Sequence, residues 1–219
     1  MYRISLILML LIFVTLPAWA QQGQEMKQSD SKKGIPSGWM MRFDHSSASM
    51  DNVKFNINGG TYHFEAGGRE AAIYYKPDMT AEGGYSYQGT FTQLQKTGHP
   101  EAYGLFIGGK NLQDKDQQYL YFLIRQDGKY LIKRRTGSDT ESINGWTASD
   151  AVKALGSDGT STNQLSINCD QDAVKFMANG VVLKSIPRSE LNYIDGIAGL
   201  RINHHLHVDV KGLSLNSAD

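Results

Sequence analysis

Several things are scarce in this chain, and each scarcity narrows what it can be. Only one cysteine, Cys169, occurs in 219 residues. No intramolecular disulfide can form, so the fold must be held by core burial. Neither sign of charge is in excess, with 22 basic and 22 acidic residues. A nucleic-acid or anionic-membrane partner calls for a basic surplus or stripe, and neither is present. Long apolar runs are also missing, apart from one at the start. Helical periodicity is rare, and no internal repeat is visible.

The one apolar run, Leu6 to Leu16, sits inside "MYRISLILMLLIFVTLPAWA" after the single basic residue Arg3. It is short of the ~20 residues a bilayer-spanning helix needs. With Pro17 and the small-residue ending Ala18-Trp19-Ala20, it reads as a signal peptide cleaved before Gln21. No cysteine follows it, which argues against lipoprotein anchoring. The expected location is periplasmic or secreted, with no membrane insertion after cleavage. Cleavage removes Arg3 and leaves 21 basic against 22 acidic residues, a net charge of −1. Residues 21–34, "QQGQEMKQSDSKKG", are a polar stretch expected to be a disordered linker. Residues 35–219 remain as a single domain, enough chain to bury about 70% of its unfolded surface.

Strand patterns fill that domain. In "NVKFNINGGTYHFEA", Val53, Phe55 and Ile57 alternate onto one face, the chain turns at Gly59-Gly60, and Tyr62, Phe64 and Ala66 return on the same face. "AAIYYK", "YSYQGTFTQL" and "AYGLFIGG" are further strands, followed by the hairpin "YLYFLIRQDGKYLIKRR". "QLSINC", "AVKFMA" and "VVLKSI" come next, the last two joined by Asn179-Gly180, a strong hairpin signal. That turn sets Phe176 opposite Leu183 and Ala178 opposite Val181, placing Val174, Phe176, Ala178, Val181 and Leu183 on one face. Cys169 continues the Leu165, Ile167 alternation and is expected to be a buried, inert thiol. Two short surface helices are expected, at Thr147–Leu155 and Pro187–Leu191. The class is all-β: many short antiparallel strands at this spacing argue a β-sandwich or a barrel.

The strand Gly104-Leu105-Phe106, the Asp127-Gly128 hairpin, "FMANGVVL" and the closing "GLRINHHLHVDVKGLSL" follow one another in an order that resembles the concanavalin A-like lectin/glucanase sandwich, also called the laminin-G-like jelly roll. It is similar to small exported bacterial proteins of unassigned activity within that superfamily. The resemblance spans roughly residues 50–215 and implies fold rather than function. The superfamily's glucanases carry Glu-x-Asp-x-x-Glu on one strand, which sets two carboxylates about 5–5.5 Å apart. No Glu-x-Asp occurs here, and Glu65, Glu70, Glu101, Glu141 and Glu190 stand apart from one another. Glu101, at the entry to a strand beside His99, is the one weak catalytic candidate.

Other chemistry is thin. Strand alternation through "NHHLHVDV" puts His204 on one face, and His205, His207 and Asp209 on the other. Ligands along one strand are spaced about 6–7 Å per step, so no metal site is expected there. Asp114 and Asp116 in "NLQDKDQQ" could hold calcium but lack the glycine and distal glutamate of an EF-hand loop.

The Asp127-Gly128 hairpin is the best lead to a function. A two-residue turn pairs Gln126 with Lys129. It puts Leu120, Phe122, Ile124 and Leu131 on the core face, with Lys133 and Arg135 toward the open end. The other face then carries Tyr119, Tyr121, Leu123, Arg125, Tyr130, Ile132 and Arg134. Tyrosine offers a flat apolar body with a polar tip, and arginine a fixed fork of donors; together they suit a sugar. Arg201, Asn203 and His205 join that surface if their strand lies in the same sheet. The same Tyr–Arg pairs would also suit a face that only braces the sheet. The leading expectation is a non-catalytic exported module binding a glycan or cell-envelope polymer, without a cofactor. A glycoside-active hydrolase and a protein–protein adhesion module are the alternatives.

Overall fold

The computed structural model describes residues 34–217. The expected signal peptide at 1–20, and all of the expected linker except Gly34, lie outside them. Two antiparallel seven-stranded sheets pack face to face. The first runs β1 (Met40–Phe43), β4 (Ala72–Ala81), β13 (Gly196–Ile202), β6 (Ala102–Lys110), β7 (Gln118–Arg125), β8 (Lys129–Thr136), β9 (Asp139–Ala148). The second runs β12 (Val181–Pro187), β11 (Ala173–Ala178), β10 (Ser161–Cys169), β5 (Tyr85–Gln93), β14 (His207–Ser217), β3 (Thr61–Ala66), β2 (Val53–Asn58).

Period-two patterning decides which side chains meet between the sheets. In β5, Tyr85, Tyr87 and Phe91 point inward, and in β10 Leu165, Ile167 and Cys169 do. Phe176 of β11 meets Phe122 of β7 across the core at 5.7 Å between ring centroids, and Phe91 meets Tyr103 at 5.7 Å. Each such side chain contributes roughly 1.5–3 kcal/mol by leaving water. The Gly59-Gly60 hairpin has the expected register, with Phe55 opposite Phe64 and Val53 opposite Ala66.

Three expectations are corrected. The first is the register of the opening hairpin. Arg125, not Gln126, closes the turn against Lys129, so Phe122 faces Ile132 and Tyr119 faces Arg135. The loop has three residues because Gln126 is buried and occupied elsewhere. Its amide accepts from Thr97 N at 2.9 Å and donates to Thr97 O at 3.0 Å, tying the hairpin to the β5–β6 connection. Gly128 then takes a left-handed φ of 73°, as the last position of a three-residue hairpin loop requires. A one-residue slip moves every β8 side chain to the opposite face.

Second, Ala178 does face Val181, but a bulge after Phe176 sets Phe176 opposite Lys184 instead of Leu183. Val181 is exposed at the hairpin tip, while Ile186 takes the inward position opposite Val174. Third, Thr147–Leu155 is not helical. Thr147 lies in β9 and pairs with Tyr130 of β8, and Ser149–Val152 forms a turn closed by Val152 N donating to Ser149 O at 3.0 Å. That turn buries Val152 in the main core. β9 has no strand-like alternation because it is a polar, exposed edge strand, the composition that blunts sheet edges. The other expected helix is one 3-10 turn, Arg188–Glu190, and a second 3-10 turn lies at Met50–Asn52.

Candidate functional site

The two outer faces differ sharply. On the second sheet the outward positions are polar and paired with one another. Ser86 donates to Asn168 at 2.8 Å, Thr92 and Thr162 lie 2.9 Å apart, and His63 lies 2.7 Å from Asp209. That is the ordinary solvated face of an antiparallel sheet. On the first sheet, Ile73, Tyr75, Phe106, Tyr119, Tyr121, Leu123 and Leu131 form a second apolar cluster, separate from the main core. Phe106 and Tyr119 on this face are 0% exposed. Gly199 of β13 makes room for Phe106: a Cβ there would lie 2.5 Å from its ring.

The β6–β7 loop folds against one end of this face. Leu112 joins the apolar cluster, and Gln113 donates to the Tyr75 hydroxyl at 2.8 Å and to Met41 O at 3.1 Å. Arg42 of β1 reaches the same loop, donating to the carbonyls of Leu112 and Asp114.

At the centre of the polar end lies Arg201 of β13, 6% exposed. Its guanidinium donates to both carboxylate oxygens of Asp44, at 3.0 Å to Oδ1 through Nη1 and more closely to Oδ2 through Nη2. Nη1 also donates to Tyr119 Oη at 3.0 Å, and the guanidinium carbon stands 5.1 Å from the Tyr121 ring centroid. Arg135 of β8 lies over the Tyr119 ring at 6.0 Å, with Nη2 3.7 Å from Asp44 Oδ2. Burial alone would raise the pKa of Asp44, but the adjacent Arg201 and Arg135 outweigh it and hold the carboxyl below its ordinary value. Burial pushes the Tyr121 phenol up, so it stays neutral. Above these groups opens a cleft of about 560 Å³ lined chiefly by Arg42, Asp44, His45, Lys115, Gln117 and Arg135. Pockets for small ligands run from about 300 to 1,000 Å³.

The structure brings together three of the eight expected ligand-binding residues: Tyr119, Tyr121 and Arg201. The tyrosines are closed off from solvent, so they brace the guanidiniums from beneath rather than offering a stacking surface. Arg125 shares the outer face but lies at its far end, where it grips Asp127 at 2.7 and 2.8 Å and stacks on Trp146 at 4.4 Å. The register slip removes Tyr130 and Arg134 from this face. Tyr130 belongs to the main core and donates to Leu183 O at 3.0 Å, while Arg134 pairs with Glu141.

Asn203 and His205 are corrected for a different reason. β13 ends at Ile202, and β14, beginning at His207, belongs to the other sheet. The intervening residues cross between sheets, so strand alternation does not run through them. His205 sits there in a left-handed turn with φ 57°, its N–H donating to Gly67 O at 2.8 Å. Asn203 N–H donates to Ala102 O at 3.0 Å, and its Oδ1 is buried without a partner. Sequence reasoning missed Asp44, Arg42, Lys115 and Arg135. Alternation in "MRFD" does put Arg42 and Asp44 on one side of a strand, but nothing local shows that β1 joins the sheet carrying Arg201.

Glu101 lies in a second group. It is buried, and its Oε1 lies 3.2 Å from His99 Nδ1 and 3.0 Å from His204 Nε2. A cleft of about 550 Å³ beside it is lined in part by Lys96, His99, His205 and His207. His204 is therefore a hydrogen-bonded partner of Glu101, partly open to solvent. Among the described residues no group of three or more His, Cys, Asp or Glu is arranged to hold a metal ion. In the β6–β7 loop, Asp116 accepts from Asn111 Nδ2 at 2.6 Å. No helix among the described residues is long and apolar enough to cross a membrane.

No protein-family model matches the chain, and no curated protein does. Solved structures do. A carbohydrate-binding module, CBM66 from Bacillus subtilis, superposes with a TM-score of 0.59 at 9% identity, covering 82% of this chain and 96% of that one. A Bacillus subtilis protein of unknown function with a galectin-like fold gives 0.57 at 11% identity, covering 82% and 89%. The Emp46p carbohydrate recognition domain, in its metal-free form, gives 0.53 at 13% identity, covering 82% and 88%. At these identities the likeness shows the fold alone, an antiparallel β-sandwich.

Proposed function

We propose that the protein is a non-catalytic carbohydrate-binding module of concanavalin A-like type, exported through residues 1–20 to the periplasm or beyond. Its ligand is a glycan or cell-envelope polymer, held in the cleft lined by Asp44, Arg42, Gln117 and Arg135. The observation that carries this reading is the fixed guanidinium of Arg201 with its partners. Tyr119, Tyr121 and Asp44 hold it in one geometry, and it in turn fixes Asp44, which lines the cleft, so that part of the polar rim is ordered before any ligand arrives. Preorganised donors and acceptors bind hydroxyl-rich ligands at lower entropic cost. The likeness to a carbohydrate-binding module and a carbohydrate recognition domain supports the same ligand class.

A glycan array probed with the protein starting at Gln21, with and without calcium, tests the proposal. Binding to at least one saccharide class is expected, weakened about tenfold by Arg135→Ala with the circular dichroism spectrum unchanged. Binding indifferent to Arg135→Ala would move the site off this cleft. Sustained hydrolysis of a bound glycan, abolished by Glu101→Gln, would make the protein a glycoside-active enzyme instead. Mass spectrometry of the exported protein should find Gln21 at its start; a retained Met1 would refute the export step.

A further inference from the structure

We infer that the cleft on the first sheet selects saccharides carrying an anionic group, a carboxylate or a sulfate ester. This rests on the carbohydrate-binding reading and names its ligand class.

The charges decide it. Arg42, Lys115 and Arg135 line the cleft against one carboxylate, Asp44. That carboxylate is committed to Arg201, which takes both of its oxygens. With the Asp44–Arg201 pair cancelling, three cations remain. Arg42 donates only to the neutral carbonyls of Leu112 and Asp114. Arg135 reaches Gly137 O at 3.4 Å and stands 3.7 Å from an oxygen already held by Arg201. Asp114 and Asp116 belong to the same loop as Lys115, but neither pairs with a cation among the described residues; Asp116 is held by Asn111. The whole chain is neutral, so this is a local concentration and not a reflection of composition.

A second observation is independent of charge. The Nε of Arg201 and the Nε of Arg135 are both buried without a hydrogen-bond partner. Buried polar groups are nearly always satisfied, and an exception marks a strained or functional place. Those two atoms are themselves enclosed, but Arg135 presents the rest of its guanidinium to a cleft of about 560 Å³ with only a long bond to Gly137 O, which suits it to an oxyanion. A neutral hydroxyl would satisfy the donors but leave the charge uncompensated. Part of that charge is shielded from water, with only 13% of the Arg135 side chain exposed, so an anionic ligand gains more there than at an open surface.

Isothermal titration with matched oligosaccharides tests this. One series is neutral, one carries uronate carboxylates and one carries sulfate esters, all of the same length. At least one acidic series should bind about tenfold more tightly than the neutral one at 50 mM salt. That advantage should shrink in 1 M salt, where the screening length falls to about 3 Å. Carboxylate against sulfate identifies the source of the anion. Lys115→Gln, on an exposed loop where folding is not at risk, and Arg135→Gln should each narrow the acidic-to-neutral ratio. Equal affinity for neutral and acidic series, or an acidic preference indifferent to salt and to both substitutions, overturns the inference and leaves carbohydrate binding standing. Failure of all three series to bind overturns both.

Discussion

Removing Asp44 should expose how much of the molecule's stability rests on the Arg201 pair. In Asp44→Ala the Arg201 guanidinium, 6% exposed, keeps only its bond to Tyr119 Oη and faces Arg135 without an intervening carboxylate. Breaking a buried pair from one side costs about 3–5 kcal/mol. Asp44 borders an open cleft and its side chain is 14% exposed, which places the expected loss near the lower end, about 3 kcal/mol. For a domain of this size that is a fall in Tm of about 6–12 °C. Arg201→Met should cost a similar amount by stranding the carboxylate. Asp44→Ala/Arg201→Met should cost much less than the sum, because neither member of the pair is left stranded by loss of the other. Urea denaturation of the wild type and the three variants at pH 7 measures the coupling. The pH dependence has a definite sign. Asp44 has a lowered pKa in the folded state, so its contribution is complete above the unfolded carboxylate value of about 3.9 and is lost as pH falls through the folded value. The gap between wild type and Asp44→Ala should be constant above about pH 5 and close in stronger acid. Additive single-mutant losses, or a gap that widens in acid, would refute the reasoning.

Cys169 is buried beside Tyr85, and burial pushes its thiol up to about 11. It should react slowly with a thiol reagent in the native state and rapidly in denaturant; equal rates would contradict its inward position. Phe176→Ala should cost roughly 3–5 kcal/mol by vacating the contact with Phe122, as large aromatic truncations in cores do. Lys175→Ala, which loses only a surface pair with Asp170, should change stability by no more than about 0.5 kcal/mol in the same urea assay. Tyr130→Phe should lose about 0.5–1.5 kcal/mol with its bond to Leu183 O. An effect of Tyr130→Phe on saccharide affinity with stability unchanged would restore it to the outer face.

The all-β architecture and most of the core can be read from the chain alone. Alternation through Leu165, Ile167 and Cys169, and through Val53, Phe55, Phe64 and Ala66, is a local property of the chain, and period two leaves one way to bury it. Glycine turns with left-handed φ, as at Asn179-Gly180, were readable for the same reason: few residues tolerate that backbone. Everything that depends on contacts distant in sequence is settled by the packing of the strands. Gln126 looked like the first strand residue beside an Asp-Gly turn, yet its bonds to Thr97 draw it into the loop and invert β8. That inversion carries Arg135 onto the face where Arg134 was expected. The run from Arg201 to Asp209 looked like one strand, yet the chain leaves the first sheet after Ile202 and enters the second at His207. Asp44 and Arg201 are 157 residues apart and meet only because β1 and β13 both pair with β4. A buried ion pair stabilises only when both partners are in place, and no local pattern in either segment records the other.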